Sequence, residues 1–213
     1  MKPFEDFPIE VTSDEGLFRN SDMPDSNALK KAAVLVPLVL VNGEWHLLFI
    51  VRAHNPNDRH SGQVAFPGGR QDDNDASLTQ TALRETAEEI GVAESHIQVI
   101  GVLPDYVTVS NYAVTPIVAV MDWPTPLTLE TAEVASTLTI PIHWLNKREN
   151  FSLRARKTLD KQTNERHPVV VYQEQQGVVL WGATARITLN CLKAFADNEL
   201  SVTPPLKTCF NGS

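Results

Sequence analysis

The stretch FPGGRQDDNDASLTQTALRETAEEIGV, Phe66 to Val92, decides the reading of this chain. Within it, RETAEE (Arg84 to Glu89) crowds three glutamates and an arginine together. At roughly 100° per residue, Glu85, Glu88 and Glu89 stand at i, i+3 and i+4, so their carboxylates share a helix face. Like charges at those spacings repel by a few tenths of a kcal/mol per pair, so helix stability does not account for them. Something positive is expected nearby. The helix is expected from about Ala76 to Gly91: Ser77 and Gln80 have capping-box spacing, and Gly91 suits the left-handed residue past the last turn. Leu83, Ala87 and Ile90 are expected on the opposite, buried stripe.

Working outward, residues 1–30 mix acids, prolines and serines and read as a helical or irregular arm. AAVLVPLVLV (Ala32 to Val41) and WHLLFIVRA are apolar runs split by Asn42-Gly43, a hairpin signal because both residues tolerate positive φ. Pro37 inside the first run points to an edge position or a bulge. Further strands are expected in IQVIGVL, VTPIVAVM, STLTIPI, HPVVVYQ and VVLW, the last two joined by a hairpin through Gln176-Gly177. GATARITLNCLKAFA (Gly182 to Ala196) reads as a second amphipathic helix. Strands and helices without strict βαβ alternation imply an α/β/α sandwich around a mixed β-sheet. The domain is expected over residues 31–198, with a C-terminal tail over 199–213.

Composition narrows the partners. A chain of 213 residues supports one domain with a real core. A net charge of −8 argues against nucleic acid or an anionic membrane as the main partner. A cation bridging the protein to an anionic substrate reconciles acidic residues with a phosphate ligand. Cys191 and Cys209 form no Cys/His cluster, so zinc is not expected. The N-terminus lacks a run of signal-peptide length, and no stretch is long enough to span a bilayer, so the cytoplasm is the expected location.

Arg84, Glu85, Thr86, Glu88, Glu89, Gly91 and Val92 match without a gap the second half of the Nudix box, with Thr86 in place of its aliphatic residue. Its first half is lengthened by one residue, so that Gly69 and Asp75 keep the box offset. With FPGG ahead, the stretch resembles the coenzyme A pyrophosphatase branch of the Nudix family. RHSGQVAFPGG resembles that branch's upstream signature, although Arg59 stands three residues before Gly62 where the branch usually has four. GVLPDYVTVSNYAVTPIVAV, Glu133-Val134 and LWGATARI look like its later strands and last helix.

The resemblance implies a Nudix fold and divalent-metal-dependent hydrolysis of the diphosphate of coenzyme A or acyl-CoA. Glu85 and Glu89 are then the metal ligands for Mg²⁺ or Mn²⁺, hard cations that prefer carboxylate and phosphate oxygens. Glu88 is the expected catalytic base or a further ligand, and Glu133 matches a position that supplies either in some relatives. Asp75 is left between capping the helix and serving the metal. Arg84 is expected to anchor a glutamate. Arg52, Arg59 and Gly69 are the expected substrate-binding residues, and Arg154, Arg156, Lys157 and Lys161 are either an anion patch near an adenosine 3′-phosphate or simply a basic strand-loop face. The alternative on the same fold is hydrolysis of ADP-ribose, a dinucleotide or a nucleoside triphosphate, or non-catalytic nucleotide sensing. A homodimer is the candidate assembly.

Overall fold

The computed structural model describes residues 9–11, 29–55, 60–108, 110–155 and 168–203. In chain order the strands are β1 (Ile9–Val11), β2 (Lys30–Val41), β3 (Glu44–Arg52), β4 (Val64–Ala65), β5 (Gly68–Arg70), β6 (Ile97–Val102), β7 (Tyr106–Val107), β8 (Tyr112–Met121), β9 (Val134–Pro141), β10 (Phe151–Ala155), β11 (Val169–Gln175) and β12 (Val178–Trp181). The helices are α1 (Leu78–Ile90), α2 (Ile142–Leu145) and α3 (Gly182–Ala196). An eight-stranded mixed sheet is built on β2, which runs parallel to β8 on one side and antiparallel to β5 and β3 on the other. β1, β10, β11 and β12 form a separate four-stranded antiparallel sheet.

The period-2 alternation of β2 assigns its two faces. Ala33 and Leu35 pack with Ala82 and Leu83 of α1, and with Ile117 and Ala119 of β8. Val36 and Leu38 face the other way, into a larger core with Phe49, Val118, Leu153, Tyr172, Ile187 and Leu192. α1 therefore covers one face, while α3 and the small sheet cover the other. The expected second helical layer is half β-sheet.

Several local expectations hold for their stated reasons. Asn42 and Gly43 have φ of 50° and 82°, and Gln176 and Gly177 of 53° and 79°, both hairpin turns of the left-handed kind. Ser77 caps α1 by accepting the Gln80 amide at 3.1 Å, and Gly91 ends it at φ 74°. α3 spans the expected residues, with Cys191 buried inside it. Cys209 lies outside the described residues.

Others are corrected. Pro37 sits in a central strand, paired with Ala119 in the β8 ladder. On the opposite edge β2 changes partner between Val34, paired to β5, and Leu38, paired to β3. The Leu35 amide points to that edge, bonding the Pro67 carbonyl at 2.8 Å. Pro37, two residues on, aims its missing donor the same way, into the gap where no ladder bond is due. The 1–30 arm, expected to be helical or irregular, contributes β1, which pairs antiparallel with β10. Ala87 is exposed, and the buried side of α1 is instead Thr81, Ala82, Leu83, Thr86, Glu89 and Ile90.

Candidate functional site at the junction of α1 and the glycine strand

The site grows from one close approach. Gly69 pairs with Ala33 and so faces α1, where a Cβ would fall 2.5 Å from the Glu85 carboxyl carbon and Oε1. Gly68, at φ 149°, would drive a Cβ into the Ala33 carbonyl and Val34. Only glycine lets this strand run flush against the helix. The Gly68 amide then donates to Glu89 Oε2 at 2.9 Å, tying strand to helix.

Glu89 is 2% exposed, so the acid face expected to point at solvent is turned partly inward. Burial pushes its carboxyl up to about 7. The Gly68 hydrogen bond and Arg52 oppose that rise, while Glu85 and Glu133 add to it. Glu85 is half-buried and raised too, first by burial, with Arg84 opposing and Glu88 and Glu133 reinforcing. Glu85, Glu89, Glu133 and Arg52 thus share one electrostatic environment. Arg52 stands at the end of β3, whose neighbour Ala53 donates to the Glu133 carbonyl at 2.7 Å.

Arg84 gathers the remaining acids. Its Nε and Nη2 donate to Asp75 at 3.0 and 2.9 Å, Nη2 also to the Arg70 carbonyl at 3.1 Å. Its Nη1 pairs with Glu85 and Glu88, each at 3.0 Å. Asp75, whose side chain is 4% exposed, also accepts the Asp72 amide at 3.0 Å and the Thr81 hydroxyl at 2.9 Å. The Arg84 guanidinium first, then these donors, holds its carboxyl well below the usual range. The cap of α1 is Ser77, and Asp75 anchors the arginine. Glu88 is 60% exposed and held by Arg84 on the outer side of α1. Among the described residues the positive charge beside the three glutamates comes from Arg84 for Glu85 and Glu88 and from Arg52 for Glu89.

Arg59, Arg156, Lys157 and Lys161 lie outside the described residues. Arg154 stands on the small sheet, opposite Glu10 and Val169 in register. Among the described residues no three His, Cys, Asp or Glu side chains already surround a common point. The donor set still suits a hard divalent cation: two half- to fully buried carboxylates, both raised chiefly by burial, beside glycine backbone. Among the described residues no helix is long and apolar enough to cross a membrane.

Fold and site together define an α/β protein whose carboxylate-bearing helix is docked on a glycine strand. A family model for the NUDIX domain matches residues 29–162. The uncharacterized Nudix hydrolase NudL of Pectobacterium atrosepticum is 38% identical over 159 residues, covering 74% of this chain and 79% of that protein. The protein of the same name from Cronobacter sakazakii is 39% identical over 158 residues, again 74% and 79%. Among solved structures, a MutT/nudix family protein from Enterococcus faecalis is similar at a TM-score of 0.50 and 16% identity, over 83% of this chain and 64% of that one. The chain belongs to the Nudix family, whose hydrolases generally use divalent metal cations.

Proposed function

We propose that this protein hydrolyses the diphosphate of coenzyme A or acyl-CoA with Mg²⁺ or Mn²⁺, giving adenosine 3′,5′-bisphosphate and the 4′-phosphopantetheine product. The observation that carries the chemistry is the pair Glu85 and Glu89 held against Gly68-Gly69, with Arg52 beside them. The substrate choice is supported by the FPGG-containing resemblance; the relatives at 38–39% identity support the family.

Glu85 and Glu89 would hold the cation. When bound, it polarises a phosphoryl oxygen and lowers the pKa of coordinated water. The bare Cα of Gly69 lets the Glu85 carboxylate sit against the strand, and Arg52 would offset phosphate charge with charge-assisted hydrogen bonds. Glu133 is better placed than Glu88 to take a proton. It shares the field of Glu85 and Glu89, whereas Glu88 is committed to Arg84. The test is turnover of coenzyme A, 3′-dephospho-coenzyme A, ADP-ribose and NADH, each with Mg²⁺ and with Mn²⁺. Coenzyme A or its acyl derivatives should give the highest kcat/KM. ADP-ribose or NADH surpassing both coenzyme A forms overturns the substrate assignment and leaves the fold's alternative chemistry in its place.

A further inference from the structure

The strand register separates the two faces at the site, and the face away from α1 carries a second set of ligand-type residues. Gly69 faces α1. Its neighbour Arg70 must therefore point to the opposite face. Directly across the sheet from Arg70 come Ala32 of β2, Val114 of β8 and Tyr106 of β7, one row over four strands. Tyr106 and Val114 pack against the α3-side core, which fixes the face independently. The next row on the same face holds Lys30 opposite Tyr112, with the Lys30 Nζ 5.7 Å from the ring centroid. Lys30 and Arg70 are exposed, and the β2 residue in Arg70's own row is the small Ala32.

Lys30 and Arg70 are diagonal neighbours across one strand spacing. Their Cβ atoms stand about 7 Å apart or less, within reach of one shared anion for side chains of that length. The Tyr112 ring lies beside Lys30. Arg186 of α3, next to Tyr106, adds positive charge on this side while donating to the Pro168 carbonyl at 3.4 Å. In a chain of net charge −8, this grouping beside the carboxylate junction is a local inversion of sign. Among the described residues β5 pairs with β2 alone, and the backbone groups on its outer edge meet α1: the Gly68 amide donates to Glu89 and the Arg70 carbonyl accepts from Arg84. Gly69 and the carboxylates thus lie on one face of the sheet and Arg70, Lys30 and Tyr112 on the other, one strand thickness apart.

We infer that Lys30 and Arg70 form a binding site for a second phosphate of the nucleotide, with Tyr112 supporting the adenosine. This rests on the coenzyme A reading for its natural occupant, the 3′-phosphate, but the site is defined by its own residues. It is distinct from two of the cationic residues named from the sequence. Arg52 lies beside the catalytic carboxylates rather than away from them, and Arg154 is on the small sheet.

Two measurements test it. The first is binding of adenosine 3′,5′-bisphosphate and of adenosine 5′-monophosphate to the full chain by calorimetry, for wild type, Lys30→Ala, Arg70→Ala and Lys30→Arg. The bisphosphate should bind wild type roughly tenfold or more tightly than the monophosphate, as expected for losing one charge-assisted contact set. Either alanine variant should erase most of that ratio, and Lys30→Arg should restore it. The second is the ratio of kcat/KM for coenzyme A over 3′-dephospho-coenzyme A, which should collapse toward one in both alanine variants, chiefly through KM. If wild type discriminates the two nucleotides and the alanine variants discriminate equally well, the site is elsewhere. If wild type fails to discriminate at all, the inference also falls. A Lys30- and Arg70-dependent preference for the bisphosphate in a protein that does not cleave coenzyme A would uphold this site and overturn the substrate reading instead.

Discussion

Asp75 and Glu89 are both withdrawn from solvent, at 4% and 2% exposure, and both are tied to the same helix, yet their proton affinities move in opposite directions. Asp75 accepts hydrogen bonds from Arg84, Thr81 and the Asp72 amide. Glu89 accepts one from the Gly68 amide, with Arg52 near and two further carboxylates opposing. Burial penalises both ions; what separates them is compensation. The compensated carboxylate fastens the loop after β5 to α1 through Arg84. The undercompensated one is held in a state that a cation would relieve. Structure and chemistry are divided between two acids, one in the loop that leads into α1 and one on the helix itself.

The sharpest way to break that division is Glu89→Gln. The amide oxygen can still accept from Gly68, so the strand–helix tie survives. Activity should fall a hundredfold or more, about 3 kcal/mol of transition-state stabilisation, while metal-free stability near pH 8 stays level or rises. Steady-state kinetics and thermal melts on one preparation decide it. Near-normal kcat with unchanged metal dependence would remove Glu89 from the site.

The pH dependence of metal-free stability follows next, and its two limbs have opposite signs. Glu89 has a folded pKa of about 7 against an ordinary 4.5. Its contribution is therefore full below 4.5 and lost as pH rises through 7, on the order of 3 kcal/mol across the window. Asp75 is depressed, so its contribution is present above its ordinary 3.8 and lost as pH falls below that value. Urea titrations from pH 3 to 8, in chelator, should show Glu89→Gln flattening the upper limb and Asp75→Asn flattening the lower. The same variant flattening both limbs would merge two acids that the geometry separates.

Asp75→Asn should show the complementary profile at ordinary pH. It leaves Arg84 without its main countercharge and loosens the loop, so Tm should drop by several degrees. Glu85 loses some of the order that Arg84 imposes, and kcat should fall less than tenfold. A kinetic loss matching that of Glu89→Gln without a change in Tm would make Asp75 part of the reaction.

Much of this division was hidden from the sequence. Ser77, Gly91 and the two hairpin turns are legible because each is set by local backbone geometry. The spacing of Glu85, Glu88 and Glu89 correctly puts three acids near one another. It does not say which way the sheet covers the helix, and that alone buries Glu89 and leaves Glu88 outside. Asp75 meets Arg84 only once the loop folds back on α1. Lys30 and Arg70 come together through a strand pairing that the short GGR segment does not announce, although alternation after Gly69 would have put Arg70 on the far face. Pairing of Ile9–Val11 with β10 is equally non-local.

The smallest effect is expected at Thr86, which sits between the two acids on the buried side of α1. Its hydroxyl donates to the Ala82 carbonyl at 2.7 Å, so a polar atom in an apolar layer is satisfied within its own helix. Thr86→Val keeps the branched shape and removes that donor, while the Ala82 carbonyl still receives the residue-86 amide in the helical ladder. The lost hydrogen bond and the added apolar burial nearly cancel, so stability should change by less than about 1 kcal/mol. Activity should stay within twofold, because no charge near Glu85 or Glu89 is altered. A melt and an assay of this one variant check both. A tenfold loss of kcat at unchanged Tm would mean that the hydroxyl helps set the carboxylate pair. The contrast between Asp75 and Glu89 would then have a third, uncharged participant.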